Sequence, residues 1–185
     1  MDFSQITQQV TVDLDRALKE IQVDQIEDFI TRIKTTKRVF VYGLGRERLV
    51  LQAFAMRLMH LGFDVHVVGD VTTPRIGKDD LFVTSSGTGY LSTVAALMPI
   101  AKEAGANIAL VTAAADSPLL EHVDTCVLIS VKTMRDDPSA QSSIQPLGAL
   151  FEQTMYLMLD SIVLRLKQSM NITDESMTEF HTNLE

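Results

Sequence analysis

The sequence predicts an α/β fold, a three-layer α-β-α sandwich on a five-stranded, parallel, doubly wound sheet. Three observations predict it. Five short runs are apolar almost throughout, as strands buried on both faces must be. Segments whose apolar residues recur at helical spacing stand between most of these runs. Small, glycine-containing turns follow two of the runs at their carboxyl ends, which is where ligands of such sheets bind.

Taken in order, residues 3–35 read as two helices. Ile6, Val10 and Leu14 mark the first; Ile26, Phe29, Ile30 and Ile33 mark the second. Arg38–Tyr42 is the first strand, broken by Gly43-Leu44-Gly45. Arg46–Leu61 follows as a helix, with Leu49, Ala53, Met56 and Met59 near helical spacing. Asp64–Val68 is the second strand, and Asp70–Pro74 the loop after it. Asp80–Thr84 is the third strand, and Ser85–Gly89 a loop of small residues. Leu91–Ala104 is a helix that Gly105 ends as a C-cap. Asn107–Thr112 and Thr125–Ser130 supply the last two strands.

Lys132–Pro146 is polar and aperiodic, a candidate lid. Helical spacing resumes over 147–167 with Leu150, Thr154, Leu157, Met158, Ile162 and Leu166, and the apolar face is broad. A short helix is expected from Asp174-Glu175, followed by a polar tail. Residues 1–185 read as one domain, with the helices of 3–35 and the helix and tail of 147–185 packing on the sheet and on partner subunits.

Composition narrows the function. Of 185 residues, 46% are hydrophobic and 22% charged, and the formal charge is -8 with a pI near 4.9. A general nucleic-acid surface needs a basic stripe, so no nucleic-acid partner is expected. A single small anion is still allowed, because helix termini and one or two cations can hold it locally. Cys126 is the one cysteine and lies in the apolar run Cys126–Ile129, so it reads as a buried thiol. Met1–Val10 lacks a basic stretch followed by an apolar one, and no apolar run approaches the ~20 residues of a membrane span. The reading is therefore cytoplasmic, with no membrane partner.

Two turns carry candidate chemistry. Ser85, Ser86, Gly87, Thr88 and Gly89 combine hydroxyls with glycine-exposed N–H groups between a strand and a helix start. This suits an anion; it also suits a polar helix cap. Gly43-Leu44-Gly45-Arg46 resembles half a dinucleotide fingerprint, but residue 48 is Arg where a third Gly belongs, so no nucleotide cofactor is expected. Arg46 either reaches a ligand or is simply solvated. Glu152, early in the long helix, is either a dipole partner of its own helix or a general base facing a cleft. His60, His66 and His122 read as structural or surface residues, and His181, in the tail, carries no signal by itself. No ligand spacing points to a metal.

Four stretches resemble a known family. They are Ala53–Phe63 (AFAMRLMHLGF), Val68–Pro74 (VGDVTTP), Ile144–Gln153 (IQPLGALFEQ) and His181–Glu185 (HTNLE). They identify the chain as similar to the sugar isomerase (SIS) domain family, and within it to the 6-phospho-3-hexuloisomerases. The resemblance implies a flavodoxin-like strand order and the interconversion of a 6-phospho-3-hexulose with fructose 6-phosphate through a cis-enediol, without metal or organic cofactor. It implies Glu152 as the base and His181 in a supporting acid/base role. It also implies a homotetramer in which the tail reaches a neighbouring subunit's site. Gly45, Arg46, Arg48, the Ser85–Gly89 loop, Thr72 and Thr73 would hold the sugar phosphate.

The departures from the family pattern lie at that phosphate site. The family turn Gly-x-Gly-Arg-Ser-Gly here ends Arg46-Glu47-Arg48, and the family loop Ser-Gly-Ser-Gly-Glu-Thr reads Ser86-Gly87-Thr88-Gly89-Tyr90-Leu91. Two hydroxyls are lost, and Glu47 is expected to repel a phosphate. At about 4 Å such repulsion is worth about 1 kcal/mol in water and about 4 kcal/mol at an effective dielectric of 20. The alternatives are a non-catalytic module that senses a sugar phosphate, or an isomerase of a different sugar.

Overall fold

The computed structural model describes residues 1–134 and 143–184. Helices α1 (Phe3–Glu20) and α2 (Val23–Thr35) precede strand β1 (Val39–Tyr42). Then come α3 (Gly45–His60), β2 (Val65–Val67), β3 (Leu81–Ser86), α4 (Ser92–Glu103) and β4 (Asn107–Thr112). A 3-10 turn (Pro118–His122), β5 (Thr125–Leu128), α5 (Ala149–Ser169) and α6 (Asp174–Glu179) complete the order. The strands are parallel and lie in the order β2-β1-β3-β4-β5. The α/β architecture is the one the sequence predicts.

Side chains alternate between the faces of a strand, and two cores follow from that alternation. Val39, Val41, Leu81, Val83, Ala109 and Val111 face one side, where Phe29 and Ile33 of α2, Leu51, Phe54 and Leu58 of α3, and Phe151, Met155 and Ile162 of α5 cover them. Phe40, Phe82, Ile108 and Leu110 face the other side, under Val94, Met98 and Ala101 of α4 and Leu119 of the 3-10 turn. Full burial of each such aromatic or branched side chain stabilises the fold by about 1.5–3 kcal/mol. Among the described residues no helix is long and apolar enough to cross a membrane.

At the amino edge of the sheet, Asp80 is fully buried and its carboxylate takes two hydrogen bonds from Arg38, at 3.0 and 2.6 Å, and one from the Gly77 N–H at 2.8 Å. This cluster ties the starts of β1 and β3 together, at the edge opposite their strand-to-helix turns.

Two sequence expectations change. The third strand runs two residues further than Thr84, because Ser85 and Ser86 continue the ladder opposite Val111 and Thr112 of β4. These serines are strand residues, fully buried, rather than loop hydroxyls. The polar segment 132–146 is described only in part, since residues 135–142 lie outside the described residues. Where the chain returns, the Ser143 hydroxyl donates to buried Asp13 of α1 at 2.6 Å.

Candidate active site

Strands β1 and β3 are neighbours, so the turns leaving their carboxyl ends are neighbours too. The first turn leads into α3, whose opening residue Gly45 has a φ of 54°, in the region that favours glycine. The second turn, Gly87–Leu91, leads into α4. The first turn of α5 closes on them from a third side and brings Glu152 to Arg46. The N-caps of α3, α4 and α5 are Leu44, Leu91 and Gly148, and none makes a side-chain cap. The hydroxyls of the β3–α4 turn therefore do not cap α4, which removes the helix-cap reading of that loop. Backbone N–H groups in such first turns stay available for an acceptor.

Glu47 takes up one of the backbone N–H groups of this turn. Its Oε1 accepts a hydrogen bond from the Gly87 N–H at 3.1 Å, while its Oε2 is buried without a hydrogen-bond partner. Glycine at 87 permits the approach: a Cβ there would lie 2.9 Å from Cδ1 of Phe151 and 3.2 Å from the Glu47 oxygen. Burial raises the Glu47 carboxyl above its ordinary range; the Ser85 hydroxyl and the Gly87 N–H oppose this, and the charge of Glu152 adds to it. The hydroxyls of Ser85 and Ser86 are buried without hydrogen-bond partners, and that of Ser85 faces Glu47 outside full hydrogen-bond geometry. The Thr88 hydroxyl donates to the Tyr90 carbonyl at 3.3 Å, and the Gly89 N–H donates to the Ser86 carbonyl at 3.0 Å, which curls the turn.

Glu152 and Arg46 form an ion pair, Oε2 to Nε at 2.5 Å. The guanidinium N–H does not point along that oxygen, so Oε2 remains without a hydrogen bond. Arg46 is exposed, and a cleft lined by Arg46, Leu49, Val50, Glu152, Gln153 and Tyr156 opens between α3 and α5 beside the pair. A larger groove between Leu18, Ile21, Ile26, Met158 and Ile162 is apolar and lies away from these groups.

The sequence-derived residues do not all converge. Arg46, Glu152, Ser85 and Gly87 come together around Glu47. Arg48 points toward the β2 edge, 3.8 Å from Asp70 and beside Gly69. Thr73 donates its hydroxyl to the Val67 carbonyl at 2.7 Å and so closes the turn after β2, while Thr72 is exposed. His181 is stacked on His60, ring centroids 5.2 Å apart, at the far end of α3. Arg46 and His60 are 14 residues apart on that helix, about 20 Å at 1.5 Å per residue. Within one chain His181 thus stands far from Glu152.

Sequence reasoning missed the hydrogen bond from Gly87 to Glu47, and it missed Thr154. That residue is fully buried on α5, two positions after Glu152, with its hydroxyl unpartnered. The adjacency of the first and third strands could have revealed the first; a hydroxyl among packing positions is the one signal for the second. Cys126 is half-buried, and burial pushes its thiol up to about 11, which leaves it unreactive.

Fold and site define an α/β domain whose candidate site lies at the carboxyl edge of the sheet, between two strand-to-helix turns and a third helix. The SIS domain family matches residues 32–151, and the chain belongs to that family. It is 39% identical over 166 residues to the 3-hexulose-6-phosphate isomerase of Mycobacterium gastri, covering 90% of this chain and 83% of that one. It is 32% identical over 164 residues to the enzyme of the same name from Bacillus subtilis, covering 89% and 87%. A solved Methanococcus jannaschii protein, for which a 3-hexulose-6-phosphate isomerase function is inferred, superposes with a TM-score of 0.85 at 29% identity, covering 97% and 98%.

Proposed function

We propose that this chain is a phosphosugar isomerase that interconverts a 6-phospho-3-hexulose and fructose 6-phosphate, with Glu152 as the base. The observation that carries the reading is the Glu152 carboxylate in the first turn of α5, beside the uncapped starts of α3 and α4, with its buried oxygen Oε2 paired to the exposed Arg46 guanidinium. The names of the relatives supply the substrate class.

In this mechanism Glu152 takes the proton from C2 of the 3-ketose, and the electron pair forms the C2–C3 double bond of a cis-enediol as the C3 carbonyl oxygen takes a proton from solvent and becomes a hydroxyl. Loss of the O2 proton to solvent and return of the Glu152 proton to C3 leave the carbonyl at C2. No bond to phosphorus changes. A positioned carboxylate of this kind supplies roughly 10²–10⁴-fold. Arg46 would move from Glu152 to the substrate, since it is exposed and held by one oxygen. Arg48, Thr72, Thr73, Thr88 and the backbone of Gly45, Gly87 and Gly89 are the remaining groups proposed to surround the sugar phosphate.

His181 then acts in a neighbouring subunit, and the assembly is a homotetramer. The exposed apolar residues of α3 and α5 support self-association: Leu49, Met56, Tyr156 and Leu164 lie on the helices that flank the cleft. The test is solvent exchange. Fructose 6-phosphate incubated with the protein in D₂O should take up deuterium at C3, and Glu152→Gln should not support this. A second reading, a binding-only module, draws on the Glu47–Gly87 hydrogen bond; tight binding of the ester without exchange at C3 would establish it in place of the isomerase.

A further inference from the structure

We propose that Glu47 is an internal anion occupying part of the ligand position of the β3–α4 turn, and that an incoming dianion binds there together with a proton taken up by Glu47. The inference rests on the reading of this turn as the phosphate site.

The geometry carries it. The amide that would face a phosphate oxygen, Gly87 N–H, already donates to Glu47 Oε1 at 3.1 Å. The turn cannot retreat from that carboxylate, because Phe151 backs onto Gly87 so closely that a Cβ would meet its ring at 2.9 Å. Beside it are two fully buried serines, Ser85 and Ser86, whose hydroxyls have no hydrogen-bond partner, and Ser85 faces Glu47. The second carboxylate oxygen, Oε2, is also buried and unpartnered. A cluster of unpaired buried groups is costly unless something else completes it. A dianion would complete the hydroxyls and the amide, but not beside an ionised Glu47.

The charged groups around Glu47 point the same way. From α5 it faces Glu152, and from β3 and its turn it faces only Ser85 and the Gly87 amide. The nearby cation, Arg46, is engaged with Glu152; Arg48, one residue along α3, is turned toward Asp70. No cation pairs with Glu47 among the described ion pairs. A proton is the simplest way to remove its charge. Protonated, its Oε1 can still accept from Gly87, or the side chain can give up that amide and donate from its own O–H to the anion. Linkage requires the converse as well: the bound anion raises the affinity of Glu47 for its proton.

The experiment uses sulfate, a dianion whose own charge is constant between about pH 5 and 8. Binding is measured by calorimetry with the full chain, Glu47→Ser and Glu47→Gln, each checked for cooperative melting. The full chain should bind sulfate more tightly as pH falls, by up to about tenfold per pH unit, the limit for one proton. Glu47→Ser should bind at least about tenfold more tightly than the full chain at pH 8, with a flat pH profile. Glu47→Gln, which keeps the shape and an acceptor for Gly87, should be equally flat. Equal affinities at pH 8, a pH slope that persists in Glu47→Ser or Glu47→Gln, or no sulfate binding by any of the three would overturn the inference. Exchange at C3 with flat sulfate binding removes this proposal and leaves the isomerase; a pH-linked sulfate site without exchange does the reverse.

Discussion

The imidazole of His181 lies on that of His60, with ring planes 14° apart and centroids at 5.2 Å. The contact holds the tail at the carboxyl end of α3, while Glu152 meets the amino end. The two proposed acid/base groups therefore belong to different sites unless subunits associate. Glu152→Gln and His181→Ala subunits, each inactive alone, should regain turnover when unfolded and refolded together, because mixed assemblies contain one intact pair of groups. Failure of the mixture to exceed either parent would place His181 outside catalysis or in its own subunit.

Glu47 makes stability depend on pH in a definite direction. Its carboxyl ionises less readily in the fold than in the unfolded chain, with burial as the main cause. The folded state then holds more protons than the unfolded state above the ordinary carboxyl range, and stability is lost as pH rises through the folded value. Glu47→Gln removes that loss. Its melting temperature should exceed that of the unmodified chain at pH 8, and the difference should shrink toward pH 4. A difference that is constant with pH, or of opposite sign, counts against this placement of Glu47.

Gly87 is fitted between Phe151 and Glu47. Gly87→Ala inserts a methyl where contacts of 2.9 and 3.0 Å to the phenyl ring already forbid one. Overpacking of this kind destabilises by about 1–3 kcal/mol. Chemical denaturation should show that loss, and Gly87→Ala/Phe151→Leu should recover part of it. Full stability in the single variant would mean that the turn moves freely.

Asp80 tests the opposite edge. Removing a buried carboxylate that takes two hydrogen bonds from Arg38 should cost about 3 kcal/mol, the low end for a broken buried pair because Arg38 keeps some solvent. Asp80→Asn should lose that stability with little effect on ester binding, since the cluster lies at the amino edge. A loss of binding larger than the loss of folded protein would contradict the separation of the two edges.

The strands were legible because they are buried on both faces and so are apolar throughout; Val39–Val41 and Leu81–Val83 are unambiguous for that reason. Ser85 and Ser86 were not, because a buried strand that ends at a site carries polar residues, and polar residues read as loop. The turns at Gly43 and Gly87 could be placed at the carboxyl edge from the strand pattern alone, whereas Glu152 joined them only through the family resemblance. What Glu47 does could not, since one-dimensional spacing says nothing of which amide a carboxylate meets across neighbouring turns. Thr73 read as a ligand group, and its hydroxyl closes its own turn in this structure, a hydroxyl–carbonyl contact six residues apart that residue type does not distinguish from ligand binding. Arg48 likewise read as a cation for phosphate and is turned toward Asp70.

Helix α3 acts as a ruler. Its length separates the Arg46–Glu152 pair from the His60–His181 stack within a chain, so a tail that serves catalysis makes the reaction a property of the assembly and thus of concentration. Diluted below the point where subunits separate, the protein should lose turnover per chain while each chain keeps its turns, its Glu152 and its capacity to bind an ester. Catalysis and binding would then part company on dilution alone, with no residue changed.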